Sequence, residues 1–512
     1  MEQTAAADGT EKWRPKYNPW WICLAVMSAT IMEILDTTIT NVAMPHIAGS
    51  LAVTTHEATW VLTSYLVSNA IILPSTAWFS GFFGRKRFFM TCIILFTVAS
   101  LLCGFANSLG FLLLARVFQG LGGGALMPIS QAILLESFPK EKHGTAMAVF
   151  AIGVVIAPIL GPLIGGWLTD NFSWRWVFFI NLPTGIFALL LTNMFIEDPP
   201  YVKKESTMID RIGFALMAIG LGTLQVVLDK GQEVDWLQSA WLCRLSIVTV
   251  VSLTAFIFWE LRVKNPVVNL RILKDRNFSG GLVEALFLGA IMYGVLTLVP
   301  LFYQTLLGYT AYSSGLVFAT FGIGCLIGSV AAGFLTNHFD GRIPFAMGLV
   351  VVSIGIFSLG IINLQMAMYS RFLSNVISGF GFMTAFIPLS VIAVGHLNNK
   401  DMGNGTGLFN LMRNIGGSIG IAITTTMLSR MGQVHQTFLT GRLTPYDPVY
   451  QQTVRAAGPE IANGLIYKGL LQQSSLLAYI DVFRFFGVVA VICVFLTVIF
   501  RRVKNAGTVM VH

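Results

Sequence analysis

Residues 151–167 read AIGVVIAPILGPLIGGW, without a single charge. On a helix Gly153, Ala157, Gly161 and Gly165 fall four apart, so one face is stripped of side chains and lets a neighbouring helix come close. Pro158 and Pro162 each remove a backbone donor and are expected to bend the helix. Gly166 completes the small-residue run. Ordinary helix packing would read the same way in this stretch alone, so its surroundings decide. Gly120, Gly122, Gly144 and Phe150 lead up to Gly161, and the set recurs as Gly379, Gly381, Gly403, Phe409 and Gly420, always displaced by 259 residues. That order, kept across two helices and the loop between them, predicts a duplicated chain with two parallel halves.

The rest of the composition agrees. The 512 residues are 55% hydrophobic and only 11% charged, against about 25% charged in soluble domains. Segments of about 20 apolar residues can cross a bilayer, and they fall near 20–45, 58–80, 88–107, 109–134, 145–168 and 175–196. A second series falls near 210–228, 242–261, 279–303, 312–336, 343–364, 371–396, 404–429 and 479–500. The expectation is an all-α membrane protein of fourteen transmembrane helices, arranged as two six-helix halves (20–196 and 266–500) around an inserted helix pair (197–265). Tails at 1–19 and 501–512 and a long outer loop at about 430–478 complete the plan. Lysines and arginines such as Arg85, Lys86, Arg87, Lys142, Lys264 and Arg342 collect on one side, which the positive-inside rule makes cytoplasmic together with both termini. They account for the net charge of +8; no basic patch with interleaved aromatics suggests nucleic acid. The six cysteines have neither metal-ligand spacing nor a disulfide pattern, so no metal is expected. No short apolar core with a cleavage site precedes the first span, so the N-terminal tail reads as retained.

Charges inside such spans need a reason, because one at the bilayer centre costs roughly 2.5–3.5 kcal/mol on insertion scales. Glu33 and Asp36 lie three residues apart in the first helix and share a face. Arg116 lies within the fourth helix, where it needs a partner or water unless it snorkels to the interface. Asn41, Gln119, Glu284, Asn410 and Arg413 are candidates for lining a substrate cavity between the halves. Asp481 and Arg484 share a face of the last helix and are expected to pair. GGSIG at 416–420 matches the elbow pattern of serine hydrolases around Ser418, but inside a span, and Gly420 already belongs to the repeat. GLGGGA lacks the preceding strand of a dinucleotide site.

LDTTITNVAMPHIA in the first helix, ARVFQG in the fourth, GPLIGG in the fifth and WRWVFFINLPTG at the sixth together resemble the fourteen-helix drug:proton antiporters of the EmrB/QacA type, within the major facilitator superfamily. The resemblance covers nearly the whole chain and is nearer to the EmrB-like multidrug exporters, given the Gln-rich outer loop before the last helix. It implies the major facilitator fold and export of lipophilic small molecules across a bacterial inner membrane, driven by protons without a cofactor. It also implies two partners, a periplasmic adaptor (membrane fusion) protein and an outer-membrane channel. GPLIGG resembles the antiporter motif, which disfavours the alternative of a proton-coupled solute symporter. AWFSGFFGRKRFF resembles the cytoplasmic loop motif through Gly84, Arg85 and Arg87, but Gly81 stands where the family has an acid. The resemblance assigns Asp36 and Arg116 to proton coupling. Physics supplies a reason: burial favours a neutral carboxyl, a neighbouring cation favours a charged one, and a group under both influences can load and release a proton. Glu33 is left with three readings: a second proton site, a counter-ion for cationic drugs, or an acid turned to water.

Overall fold

The computed structural model describes residues 15–198, 210–309, 311–361, 368–395, 397–444, 446 and 448–500. Most of the two expected tails and the pair Lys203 and Lys204 lie outside these described residues. The first half is built from α1 (Pro19–Ser50), α2 (Trp60–Phe83), α3 (Arg85–Gly104), α4 (Leu109–Ser137), α5 (His143–Asn171) and α6 (Trp176–Phe195). The inserted pair is α7 (Arg211–Lys230) and α8 (Ala240–Arg262). The second half contains α9 (Arg276–Leu306), α10 (Ala311–His338), α11 (Arg342–Leu359), α12 (Met368–Val394), α13 (Asn399–Thr440), the short α14 (Pro448–Ala457) and α15 (Pro459–Leu496).

Among the described residues thirteen helices are long and apolar enough to cross a membrane. The fourteenth expected span is α13, which carries Asn404, Asn410, Arg413 and Asn414 and is too polar to qualify, yet packs along α9 and α15 inside the bundle. α13 runs for 42 residues and α15 for 38. At 1.5 Å per residue each reaches on the order of 60 Å, about twice the bilayer core. The stretch 430–478, expected as a loop, is therefore mostly helix: the end of α13, then α14, then the start of α15. Polarity reads as loop in a sequence, but here it is the exposed surface of helices that run on past the membrane.

Helix ends follow local chemistry. Asn18 caps α1 by accepting from the Trp20 amide at 3.0 Å, with Pro19 at the first helical position. Asp210 caps α7 and Asp275 caps α9 in the same manner. Between α2 and α3 the chain turns on Gly84, whose φ of +86° disfavours any residue with a side chain.

The sequence repeat reappears as repeated packing. Gly120 of α4 lies against the Tyr65 carbonyl of α2, and Gly379 of α12 against the Phe321 carbonyl of α10. Gly122 meets Cys92 and Phe96 of α3, and Gly381 meets Val351 and Val352 of α11. Gly161 of α5 sits on Thr38 of α1, and Gly420 of α13 on Ala290 of α9. Gly144 and Gly403 face the opposite half, at Asn337 and Ala77 respectively. Each missing side chain brings a specific pair of helix backbones together, so the duplicated glycines dictate a duplicated bundle.

Candidate functional site

Asp36 and Arg116 are both fully buried, at 0% exposure. On α1 Asp36 shares the buried face of Met32, Ile39 and Ala43; on α4 Arg116 shares that of Leu112, Gln119 and Gly120. The faces meet. Arg116 Nη1 donates to Asp36 Oδ2 at 2.6 Å and to Gln119 Oε1 at 2.8 Å, and Arg116 Nε donates to the Val61 carbonyl at 3.1 Å. Asp36 Oδ1 accepts from Gln119 Nε2 at 2.8 Å and from Asn181 Nδ2 of α6 at 2.6 Å. Asn181 also donates to Ser100 Oγ of α3, at 2.9 Å. The Tyr65 ring lies 4.4 Å from the guanidinium carbon and the Phe178 ring 5.7 Å from it. Five of the six helices of the first half thus supply one ionic knot, and α5 supports it through the Gly161–Thr38 contact two residues beyond Asp36. Desolvating two such charges costs several kcal/mol per ion, recovered only through close geometry and filled hydrogen-bond positions. Arg116 is therefore no interfacial anchor.

Gln119, proposed as cavity-lining, belongs to this knot instead. Asn181 was missed as a site residue, although NLPTG had been noted as part of the resemblance. A lone amide near the end of an aromatic-rich stretch carries little signal.

Glu33 points from α1 toward α2. Its Oε1 accepts from Asn69 Nδ2 at 3.2 Å and from the Tyr65 hydroxyl at 3.4 Å, while Oε2 is buried without a hydrogen-bond partner. Tyr65 therefore touches both acids' surroundings, its ring against Arg116 and its hydroxyl toward Glu33. Glu33 and Thr37 are half-buried, whereas Asn41, next along the same face, is exposed.

Asn410 and Arg413 lie where the halves touch. Asn410 Nδ2 donates to Gln131 Oε1 of α4 at 2.6 Å, and Arg413 Nη2 to the Met127 thioether at 2.9 Å. Asn414 Nδ2 reaches Asn69 Oδ1 at 3.5 Å, and Asn337 of α10 donates to Thr145 of α5 at 2.7 Å. The inserted pair joins the seam: Gln225 of α7 exchanges hydrogen bonds with Ser418 of α13 at 2.8 and 3.0 Å, and Trp236 donates to Thr426. Asp229 and Lys230 bond Thr63 and Thr59 of the first half. The Ser418 hydroxyl is held by Gln225 and the Asn414 carbonyl, and no histidine is among these partners.

Glu284 is a correction. It is buried, but beside the Cys493 thiol of α15, and neither carboxylate oxygen has a hydrogen-bond partner of normal geometry. Gly280, one turn earlier on the same face, meets Ile499 and Phe500. Glu284 therefore sits between two helices of the second half and not on the seam. Asp481 also departs from expectation. His435 of α13, 2.6 Å away, pairs with it across the helices in place of Arg484.

The glycine face of α5 is real but narrower than its motif. A Cβ on Gly153 would fall 2.7 Å from Met27, on Gly161 2.2 Å from Thr38, and on Gly165 3.1 Å from Ile39; on Gly166 it would meet nothing within 4 Å. The helix continues unbroken through Pro158 and Pro162. In the turn after α2, Arg85 is buried in an ion pair with Glu136 of α4. Asp198 accepts from the Lys86 amide at 2.6 Å and lies 3.1 Å from where a Cβ on Gly84 would be. Acids from elsewhere in the chain thus surround the turn that lacks one of its own, while Arg87 is exposed.

Comparison with known proteins adds the following. The sequence model of the family described as Major Facilitator Superfamily matches residues 26–421. A multidrug export protein EmrB of Haemophilus influenzae is 37% identical over 435 residues, 84% of this chain and 84% of its own length. A fatty acid resistance protein FarB of Neisseria gonorrhoeae is 35% identical over 90% of this chain and 92% of its own. Among solved structures, a double-tryptophan mutant of XylE superposes with a TM-score of 0.61 at 14% identity, covering 94% of this chain and 95% of that one. The human organic anion transporter MFSD10 gives 0.60 at 14% identity, over 94% and 100%. At such low identity these structures speak for the fold alone.

Proposed function

The chain belongs to the Major Facilitator Superfamily, and from that premise we propose that it exports lipophilic drugs and other toxic small molecules in exchange for protons. Drug export follows from relatives named as multidrug export proteins at 35–37% identity over most of the chain. The observation that supports proton coupling is the knot itself: a fully buried carboxylate whose two oxygens are held by Arg116, Gln119 and Asn181.

A proton arriving on Asp36 Oδ2 would cancel the charge that faces Arg116 and turn an acceptor into a donor. The 2.6 Å contact could not persist between two donors. Arg116 would keep only the Val61 carbonyl and Gln119, and α1 would be held to α4 at this point by the uncharged Gln119–Asp36 bond alone. Because α1 also carries Glu33 toward the seam, that loosening reaches the surface where the halves meet. Proton release to the other side would restore the knot. An inward-moving proton supplies about 2.3 kcal/mol per 100 mV of membrane potential, enough to bias export in one direction.

In this reading the protein lies in a bacterial inner membrane with both termini cytoplasmic, as the positive-inside rule assigns them. The extensions of α13 and α15 then project on the periplasmic side, where a periplasmic adaptor leading to an outer-membrane channel would dock. The test is proton release on drug addition to purified protein. The wild type releases protons as drug binds, and Asp36→Asn does not; equal release from both would remove Asp36 from the coupling.

A further inference from the structure

A buried guanidinium is retained in a membrane bundle only if something meets its charge, and among the described residues Arg413 has no acid bonded to it. It is 7% exposed. Nη2 is offered the Met127 thioether at 2.9 Å and, at 3.5 Å, the Asn414 amide oxygen; Nε is buried with no hydrogen-bond partner. A thioether is a weak acceptor and carries no charge. The Phe386 ring lies 5.8 Å away on the other side. Glu33 is within electrostatic reach across the seam, yet the two form no ion pair among the described residues. Their hydrogen bonds run instead to Asn414 and to Asn69, which face each other at 3.5 Å.

The position of Arg413 is rigid. A Cβ on Gly289 of α9 would stand 2.2 Å from the Arg413 carbonyl, so the backbone is pressed against a bare face. From there the side chain crosses to Met127 in the first half. Nε and Nη2 form the edge of a guanidinium that receives two coplanar oxygens at once. Here one of those donors is unpartnered and the other is weakly occupied.

We propose that Arg413 is a specificity-determining residue, whose Nε–Nη2 edge receives the carboxylate of a lipophilic anion when the seam opens, with Glu33 as the opposite pole that favours cations. This rests on the export reading above and adds to it the charge that each wall of the seam selects. A guanidinium that only pins the halves together through Met127 would affect every ligand alike. A selecting one separates them.

The test uses the full chain in phosphatidylcholine nanodiscs, a neutral lipid, with decanoate and tetraphenylphosphonium as probes. Wild type binds both. Arg413→Gln weakens decanoate about ten- to a hundredfold, the worth of a charged hydrogen-bonded contact, and tightens tetraphenylphosphonium, because a like charge has left the seam. Arg413→Lys, which keeps the charge without the fork, weakens decanoate less, and it decides the matter if the glutamine variant does not fold. Absence of decanoate binding by wild type overturns the proposal, as does unchanged decanoate binding in Arg413→Gln or a parallel loss of both probes in both variants. Efflux of tetraphenylphosphonium from cells, measured alongside, keeps the two readings apart. Efflux without charge discrimination at Arg413 removes only this inference, whereas a wild type that exports nothing removes the export function itself.

Discussion

Arg116 and Asn375 stand at corresponding places in the two halves, 259 residues apart, and they make corresponding bonds. Arg116 Nε donates to the Val61 carbonyl of α2, and Asn375 Nδ2 to the Val317 carbonyl of α10. Gly161 on Thr38 matches Gly420 on Ala290, so two residues earlier in each helix Asp36 corresponds to Leu288. Both are buried. The second half therefore keeps the frame and drops the charges: leucine and asparagine stand where the first half has an ion pair. The glycine contacts are shared and the ions are not, so the second half holds this frame without them. A knot costing several kcal/mol in desolvation, kept in the first half where the second has uncharged residues, is what the proposed proton coupling rests on.

The most damaging way to break this asymmetry is Asp36→Asn. The amide still fills the space and still accepts from Arg116, but it cannot take up and release a proton. Efflux driven by a pH gradient in proteoliposomes should fall to background. Unfolding should also come at lower temperature, by up to roughly 3–5 kcal/mol of lost stability, because Arg116 is left buried without its counter-charge. Gradient-driven efflux at the wild-type rate would refute the coupling role.

Copying the second half into the first sharpens the comparison. Asp36→Leu alone strands Arg116 and should be strongly destabilised. Asp36→Leu with Arg116→Asn removes both charges and should recover most of that loss, since buried pairs exchanged together for uncharged groups are often neutral in stability. Transport should stay absent. Thermal unfolding of the single and double variants in detergent checks the first part, and proteoliposome efflux the second. A double variant no more stable than the single one would mean that the ions are part of the frame after all.

The shared glycines should behave alike in both halves. Gly161→Leu and Gly420→Leu each force a side chain into a helix contact, at 2.2 Å from Thr38 and 2.1 Å from the Ala290 carbonyl. Overpacking of this kind costs about 1–3 kcal/mol or more. Gly420→Leu should be the worse, because a carbonyl cannot rotate away as a threonine hydroxyl can. Gly166→Leu should stay within about 0.5 kcal/mol, as surface changes do, because nothing lies within 4 Å. Unfolding temperatures and the yield of inserted protein rank the three.

How much of this was legible depended on how loudly each residue spoke against its surroundings. Asp36 and Arg116 stood out because a charge in an apolar run needs a reason, and GPLIGG because its spacing removes side chains from one helical face. Asn181, Asn69, Gln131 and Asn414 did not stand out: neutral amides are tolerated in spans, and their roles come from partners 36 to 345 residues away that no local pattern names. Glu284 and Gln119 were recognisable as buried polar groups, but the neighbour that a helix face meets is decided by the fold. The His435–Asp481 pair shows the same limit, since a spacing of three suggested Arg484 and the real partner came from another helix. Polarity misled once, where residues 430–478 read as loop and are mostly helix.

The smallest expected effect belongs to Glu33, which has no part in the knot and whose proposed role as the cation-favouring pole is set against proton relay by one variant. It touches Tyr65, which also lies on Arg116, so it could relay protons; its second oxygen is buried without a partner near the seam, so it could hold a cation. In the counter-ion case, Glu33→Gln lowers export of cationic drugs by about tenfold at most and spares neutral and acidic ones. An attraction that is weak in water is several times stronger at the lower effective dielectric of a protein seam. In the proton-relay case every substrate loses alike and fewer protons enter per molecule exported. A resistance profile across cations, neutral compounds and weak acids, read beside proton uptake in proteoliposomes, separates the two. No change for any substrate would leave Asp36 to work alone, and the asymmetry between the halves would then reduce to the single pair it makes with Arg116.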